Sequence, residues 1–310
     1  MKKFCALLLT AALAVGAAAA EKKPLKVLMI GNSFSVSVMK ELPNIADAQN
    51  EYALDITSLY IGGCTLERHI REYESAKKDP GHRPYSVSRY VTGKGRLERF
   101  KGNLVMALDA QKYDIITLQE ASPRSFTTDG WTKYGDRLVA IVREKQPQAK
   151  LLLHQTWSYR SNSPKLKKWN LTQETMFRKV REVYADRAKH FDCGIIPMGE
   201  AVQLWRARTA KVTPLKMAAE ELKKYDSSNK LPPPRTYKGD VVGCYRRNKR
   251  GKLWCDQTHL NRDGEYLQGC VWFASLFGAD ATKIAYKPKH LKPAEAALIR
   301  KCAADAVAGK

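Results

Sequence analysis

The chain has 310 residues, 44% apolar and 27% charged, an ordinary globular balance that excludes a disordered or collagen-like protein. Fifty-four Lys+Arg against thirty-one Asp+Glu leave a net charge of +23, which favours anionic partners such as nucleic acid, anionic lipid or an acidic polysaccharide. After residue 20 no long uncharged apolar run occurs, so a multispanning membrane protein is excluded.

Residues 1–20 begin Met1-Lys2-Lys3, run apolar from Phe4 and end in Ala17-Ala18-Ala19-Ala20, the pattern of a signal peptide cut near Ala20. The expectation is a secreted or periplasmic protein with no integral span after processing. Loss of Lys2 and Lys3 leaves +21 on residues 21–310, which read as a single domain. Export permits disulfides among Cys64, Cys193, Cys244, Cys255, Cys270 and Cys302. Cys244–Cys255 is the expected clip, because the loop it closes is short. No CxxC pair occurs, and no metal or cofactor is expected.

Lys26–Ile30 reads as a buried strand, and similar runs recur at Leu54–Tyr60, Tyr113–Gln119, Lys150–His154 and Gly194–Pro197. Helix-like stretches lie between and after them, at Ser37–Asn50, Leu97–Gln111, Lys133–Lys145, Thr172–His190 and Asp263–Phe277. Such alternation predicts an α/β fold, a three-layer α/β/α sandwich with a mainly parallel central sheet. Residues 71–96 are polar and glycine-punctuated and read as a surface excursion. Residues 201–255 carry fourteen Lys+Arg and four Asp+Glu around Pro232-Pro233-Pro234, and read as a basic insertion.

In such a sheet, ligands collect at the carboxyl ends of the strands. The residues found there are Gly31-Asn32-Ser33-Phe34-Ser35, Gly62-Gly63-Cys64-Thr65, Gln119-Glu120 and His154-Gln155-Thr156. Asp256-Gln257-Thr258-His259-Leu260-Asn261 precedes the last of the helix-like stretches above. A serine hydroxyl becomes a nucleophile when an imidazole takes its proton, and the imidazole needs a carboxylate on its other nitrogen. Ser33, His259 and Asp256, the last two read as lying on one turn, could supply those parts. Ser33 N–H, Gly63 N–H and the Gln119 amide could hold the oxyanion. Trp157, Tyr159 and Trp254 could stack on sugars or belong to the core, and His154 could line the pocket or be a satisfied core histidine. Ser35 reads as a helix cap and a weak rival nucleophile, His69 as structural and Glu120 as a loop anchor.

Taken together these motifs resemble the SGNH (GDSL-like) hydrolase superfamily, in which the nucleophilic serine follows the first strand. The pattern is especially similar to a bacterial branch of unknown function with a Gly-Asn-Ser-Phe start, a Leu-Gln-Glu segment and a His-Leu-Asn-like ending. The resemblance spans residues 26–280. It implies a flavodoxin-like sheet and metal-free ester hydrolysis through an acyl-serine, with Ser33 as nucleophile, His259 as base, Asp256 as its orienter and Gly63 in the oxyanion hole. The departure is at the third block, where Leu118-Gln119-Glu120 replaces the Gly-x-Asn-Asp common in the superfamily.

The expected activity is a secreted esterase removing acyl groups, acetyl foremost, from carbohydrate. An anionic polysaccharide is the sharper expectation, because the basic insertion leads directly into the His259 segment. A non-catalytic glycan-binding protein and an acyltransferase with the same triad are the alternatives. No helix-turn-helix, zinc-finger or RRM signature accompanies the charge, so no specific nucleic-acid partner is expected.

Overall fold

The computed structural model describes residues 22–310 apart from 210–218, 227–229, 233–239 and 249. The leader expected over residues 1–20 lies outside the described residues, as does much of the expected basic insertion. Among the described residues no helix is long and apolar enough to cross a membrane.

Five parallel strands form the heart of a seven-stranded sheet: β1 (Leu25–Gly31), β2 (Leu54–Tyr60), β5 (Ile115–Leu118), β6 (Lys150–His154) and β7 (Gly194–Ile196). β3 (Tyr85–Val91) and β4 (Glu98–Gly102) extend one edge antiparallel, giving the order β4-β3-β2-β1-β5-β6-β7. The chain thus reverses direction across β1, where the strand order switches, and ligands in open α/β sheets collect at such a point. β1 is buried from Val27 to Gly31 and β2 from Leu54 to Leu59, as parallel strands covered on both faces must be.

Two helical layers cover the sheet. α3 (Leu66–Lys78), α4 (Leu104–Ala110) and α5 (Asp136–Lys145) pack together. The other group joins α2 (Leu42–Asp47), α8 (Met198–Arg208), α10 (Arg262–Phe277) and α11 (Pro293–Val307), with α7 (Gln173–His190) against α8. α10 is the central helix of that layer: eleven of its sixteen residues are buried, among them Trp272 and Phe273. The α/β/α sandwich expected from the alternation of elements is the fold observed.

The differences from the sequence reading have local causes. The helix expected over 37–50 is broken, because Pro43 restarts the chain as α2 after a short α1 (Ser33–Val36) and a 3₁₀ turn. The polar stretch 71–96 is no excursion. Its first part completes α3, whose buried face runs through Leu66, Ile70, Tyr73 and Ala76, and its last part is β3. Within the stretch read as a helix over 97–111, residues 98–102 pair with β3 as a charged edge strand, and α4 begins only at Leu104. The basic segment is partly core: Ala201, Val202, Val241 and Val242 are fully buried. Its described remainder is α9 (Ala219–Asp226) and a ribbon of β8 (Val242–Arg247) with β9 (Leu253–Leu260).

The six cysteines are free thiols, against the expected Cys244–Cys255 clip. The ribbon's register explains why. Cys244 pairs with Asp256 and Tyr245 with Cys255, so alternation sends the two sulfurs to opposite faces.

Candidate active site

β1 ends at Gly31 beneath a sharp turn. A side chain there would collide with Ser35 Oγ at 2.3 Å, so only glycine lets the turn close. Asn32 caps α1: its Oδ1 accepts from Phe34 N at 3.0 Å. Neither serine caps the helix. Ser35 is buried and its hydroxyl donates to Asn32 O at 3.0 Å, so it is no rival nucleophile. Ser33, at the first helical position, is left half-buried with its hydroxyl at the sheet's carboxyl edge.

Asp256 and His259 lie on β9, not on an isolated turn. In a regular strand residues three apart point to opposite faces. Here the register slips: Val242 pairs with Leu260 but Cys244 with Asp256, so β9 holds two extra residues opposite Gly243, whose φ of 106° suits glycine. The bulge folds 256–259 into a tight turn around the Asp256 carboxylate. Asp256 Oδ1 accepts from Thr258 N at 3.0 Å, Thr258 Oγ1 at 2.9 Å and His259 N at 3.1 Å. That leaves Oδ2, which lies 2.7 Å from His259 Nδ1. His259 Nε2 in turn lies 2.8 Å from Ser33 Oγ.

The electrostatics follow from these contacts. Burial alone would push the Asp256 carboxyl up, but the hydrogen bond and charge of His259, with the N–H groups of Thr258 and His259, outweigh it and hold the carboxyl well below its usual range. A permanent carboxylate on Nδ1 fixes the tautomer with Nε2 free to accept the serine proton. The arrangement can therefore activate a hydroxyl for attack on a carbonyl carbon.

Sequence reasoning missed one charged partner. Arg246 on β8 donates from Nε to Asp256 Oδ2 at 2.8 Å, sharing the oxygen that His259 uses. The only trace of it in the sequence is its place in the basic run 246–252.

The expected oxyanion donors are divided. Ile61-Gly62-Gly63-Cys64 is a turn closed by Cys64 N to Ile61 O at 3.2 Å, and Gly63 takes a φ of 61° that only glycine adopts without strain. Gly63 is exposed, and its N–H has no acceptor among the described residues. Gln119 is different. Its amide nitrogen lies 2.7 Å from Asn32 Oδ1 and its carbonyl 2.7 Å from His154 Nδ1, so both ends are used inside the core. The longer amide props Asn32 instead of reaching towards an oxyanion.

His154 does not line a pocket. It is fully buried, with Nε2 3.3 Å from Gln268 Nε2 and its ring edge-on to Trp272. Burial drives its pKa down to about 3, so it stays neutral. Gln268 also donates to Phe34 O at 2.7 Å and accepts from Ser37 Oγ at 2.6 Å. One buried network thus runs from α10 through His154 and Gln119 to Asn32, whose Nδ2 reaches Cys64 O at 2.9 Å. Asn32 ties the serine turn to the glycine turn, a role its cap propensity alone could not reveal.

The aromatic expectations separate by burial. Trp157 is 1% exposed: it stacks on Phe34 at 4.1 Å and donates to Thr258 O at 2.9 Å, bracing both halves of the site instead of meeting a sugar. Tyr159 is equally buried, its hydroxyl 2.7 Å from Ser122 Oγ. Trp254, 43% exposed, remains available to a ligand. His69 is buried on Tyr85 OH at 2.8 Å, and Glu120 anchors Leu66 N at 3.1 Å and Ala121 N at 2.6 Å, both as expected. Among the described residues no group of three His, Cys, Asp or Glu side chains is arranged to hold a metal ion.

Comparison with known proteins places the molecule. A family model described as a domain of unknown function, DUF4886, matches residues 26–219. The chain is similar to a crystal structure of a DUF4886 family protein from Bacteroides uniformis, with 25% identity, 92% of this chain and 95% of that one covered, and a TM-score of 0.73. It is more distantly similar to a proposed SGNH hydrolase from Slackia heliotrinireducens, at 18% identity, 83% and 100% coverage and a TM-score of 0.48. An acetyl xylan esterase structure aligns at 14% identity, 81% and 98% coverage and a TM-score of 0.41. Likeness at those two lower scores says nothing about substrate. No curated protein matches the sequence. The family model spans well over half of the chain, and the chain, an α/β/α sandwich, belongs to the DUF4886 family.

Proposed function

We propose that the protein is an exported serine esterase that hydrolyses acyl esters, acetyl foremost, on carbohydrate. The observation that carries this reading is the continuous line from Ser33 Oγ through His259 to Asp256 Oδ2, with contacts of 2.8 and 2.7 Å. In the reaction Ser33 Oγ attacks the ester carbonyl while its proton passes to His259 Nε2. The tetrahedral oxyanion rests on the N–H groups of Ser33 and Gly63. Collapse expels the sugar hydroxyl, which takes the proton from His259, and leaves an acyl-serine. Water then attacks with His259 as base, releasing the acid and restoring Ser33.

The withdrawal of Gln119 supports a second reading. Losing one oxyanion donor costs about a hundred- to a thousandfold in rate, so a glycan-binding protein on the same scaffold is the alternative. Fluorophosphonate labelling of the mature protein tests between them. A single adduct on Ser33, lost in His259→Ala, is the expected result. A folded protein that takes no adduct overturns the esterase reading and favours the binding one. Acyl transfer to a sugar would share the adduct and differ in product.

A further inference from the structure

The β8–β9 ribbon does more than carry the Asp256–His259 turn. Arg246 and Trp254 are cross-strand partners, and Asp256 lies two residues beyond Trp254, so the three side chains leave one face of the ribbon together. Asp256 is buried, but beyond it the face meets solvent: Trp254 is 43% exposed, and so is the Arg246 side chain.

Arg246 is not needed to satisfy Asp256. The carboxylate already receives the three donors on Oδ1 and His259 on Oδ2. Beyond its Nε bond the guanidinium has no partner among the described residues, so its two NH₂ groups are free. A guanidinium held by Nε with its outer edge open is pre-organised to receive a planar anion by two parallel hydrogen bonds. It stands three consecutive hydrogen bonds from the Ser33 hydroxyl. Two carboxylates, Asp256 and Glu265, already act on Arg246, but the neighbouring sequence is basic. Five of the seven residues Arg246–Lys252 are basic, and Lys40 and Arg262 add positive charge near Glu265, the acid that faces Arg246 from α10.

We propose that Trp254 and Arg246 form a subsite for an acidic sugar, with the ring stacked on the indole and its carboxylate on the outer edge of the guanidinium. The substrate class is then an acyl ester carried on, or next to, a uronate unit. This proposal rests on the esterase reading only for the acyl group; the subsite itself is a binding claim.

The test uses the mature Ser33→Ala protein, which binds without turnover, titrated with oligogalacturonate and with neutral xylo-oligosaccharide by calorimetry. The acidic oligomer should bind at least about tenfold more tightly, the worth of one charge-assisted contact. Arg246→Met should abolish the preference and Arg246→Lys should keep part of it, while Trp254→Ala should weaken both ligands. Equal affinity for the two oligomers, or a preference that survives Arg246→Met, overturns the subsite. Turnover of 4-nitrophenyl acetate by the Ser33 enzyme is scored separately. Acid-selective binding without turnover sinks the esterase reading and leaves the subsite standing; turnover without acid selectivity does the reverse.

Discussion

Ser33 stands on a turn whose neighbours are all core, whereas His259 stands on a two-stranded ribbon outside the main sheet. The serine turn is locked from beneath by Gly31, capped by Asn32 and propped by Gln119 just past β5, His154 at the end of β6 and Gln268 on α10. The ribbon is held from the side. Trp157 Nε1 reaches Thr258 O, Arg160 N donates to Gln257 O at 3.1 Å, and Asn261 caps α10 while donating to Asp240 O at 2.8 Å. At its base Arg206 pairs with Asp240 at 3.2 Å in the interior. The comparison teaches that the nucleophile's position is a property of the core, while the base and its carboxylate depend on a bulge that a few loop contacts keep in register. Damage to the first should cost stability and activity together; damage to the second should cost chiefly activity.

Asp256→Asn breaks the ribbon's half of the site with the largest expected effect. It removes the carboxylate that fixes the His259 tautomer, and kcat for a simple acetyl ester should fall by about 10⁴. A loss of less than tenfold would mean that Arg246 and the bulge, not the carboxylate, hold the imidazole.

Gln119→Leu tests the core half. His154 Nδ1–H loses its acceptor in a fully buried place, a cost of about 1–3 kcal/mol in unfolding free energy by urea titration. Activity should fall with it, because Asn32 loses its prop. A stable, fully active variant would show that the network is incidental to the serine turn.

An effect of comparable size is expected on the pH dependence of stability. Burial raises the Glu120 carboxyl to about 7, and its Oε2 has no partner among the described residues. Between about pH 4.5 and 7 the folded state therefore holds a proton that the unfolded chain releases. Stability falls as pH rises through that window, by up to about 3 kcal/mol, and is level above it. Glu120→Gln keeps an oxygen for Leu66 and Ala121 but removes the titration, so this slope should vanish from its thermal unfolding profile. An unchanged slope would assign the titration to another group.

Much of the site was legible because it sits where strands end. All five parallel strands are bounded by the sequence to within two residues, since fully buried strands read as short apolar runs. Ser33, His259 and Asp256 were found as residue types that chemistry requires together. The rest turned on information that no local window holds. Residues 98–102, Glu-Arg-Phe-Lys-Gly, have no strand pattern of their own and become β4 only because β3 offers an edge. Gln119 reads as an oxyanion donor, and His154 and Trp157 as either ligand-facing or core, yet all three are buried against residues remote in sequence: Asn32 for Gln119, Gln268 and Trp272 for His154, Phe34 and Thr258 for Trp157.

What the sequence determined by itself is the alternation of strands and helices, and with it the sandwich and the edge at which reactive residues gather. These follow from short-range apolar periodicity and from glycine at Gly31, where a side chain would meet Ser35, and at Gly63, whose positive φ favours it. Only the tertiary structure decided which polar side chains face water and which face each other. That choice depends on burial and on register, and both are set by partners tens to hundreds of residues away: a bulge in β9 turns His259 back onto Asp256, and its Nε2 meets Ser33, 226 residues distant.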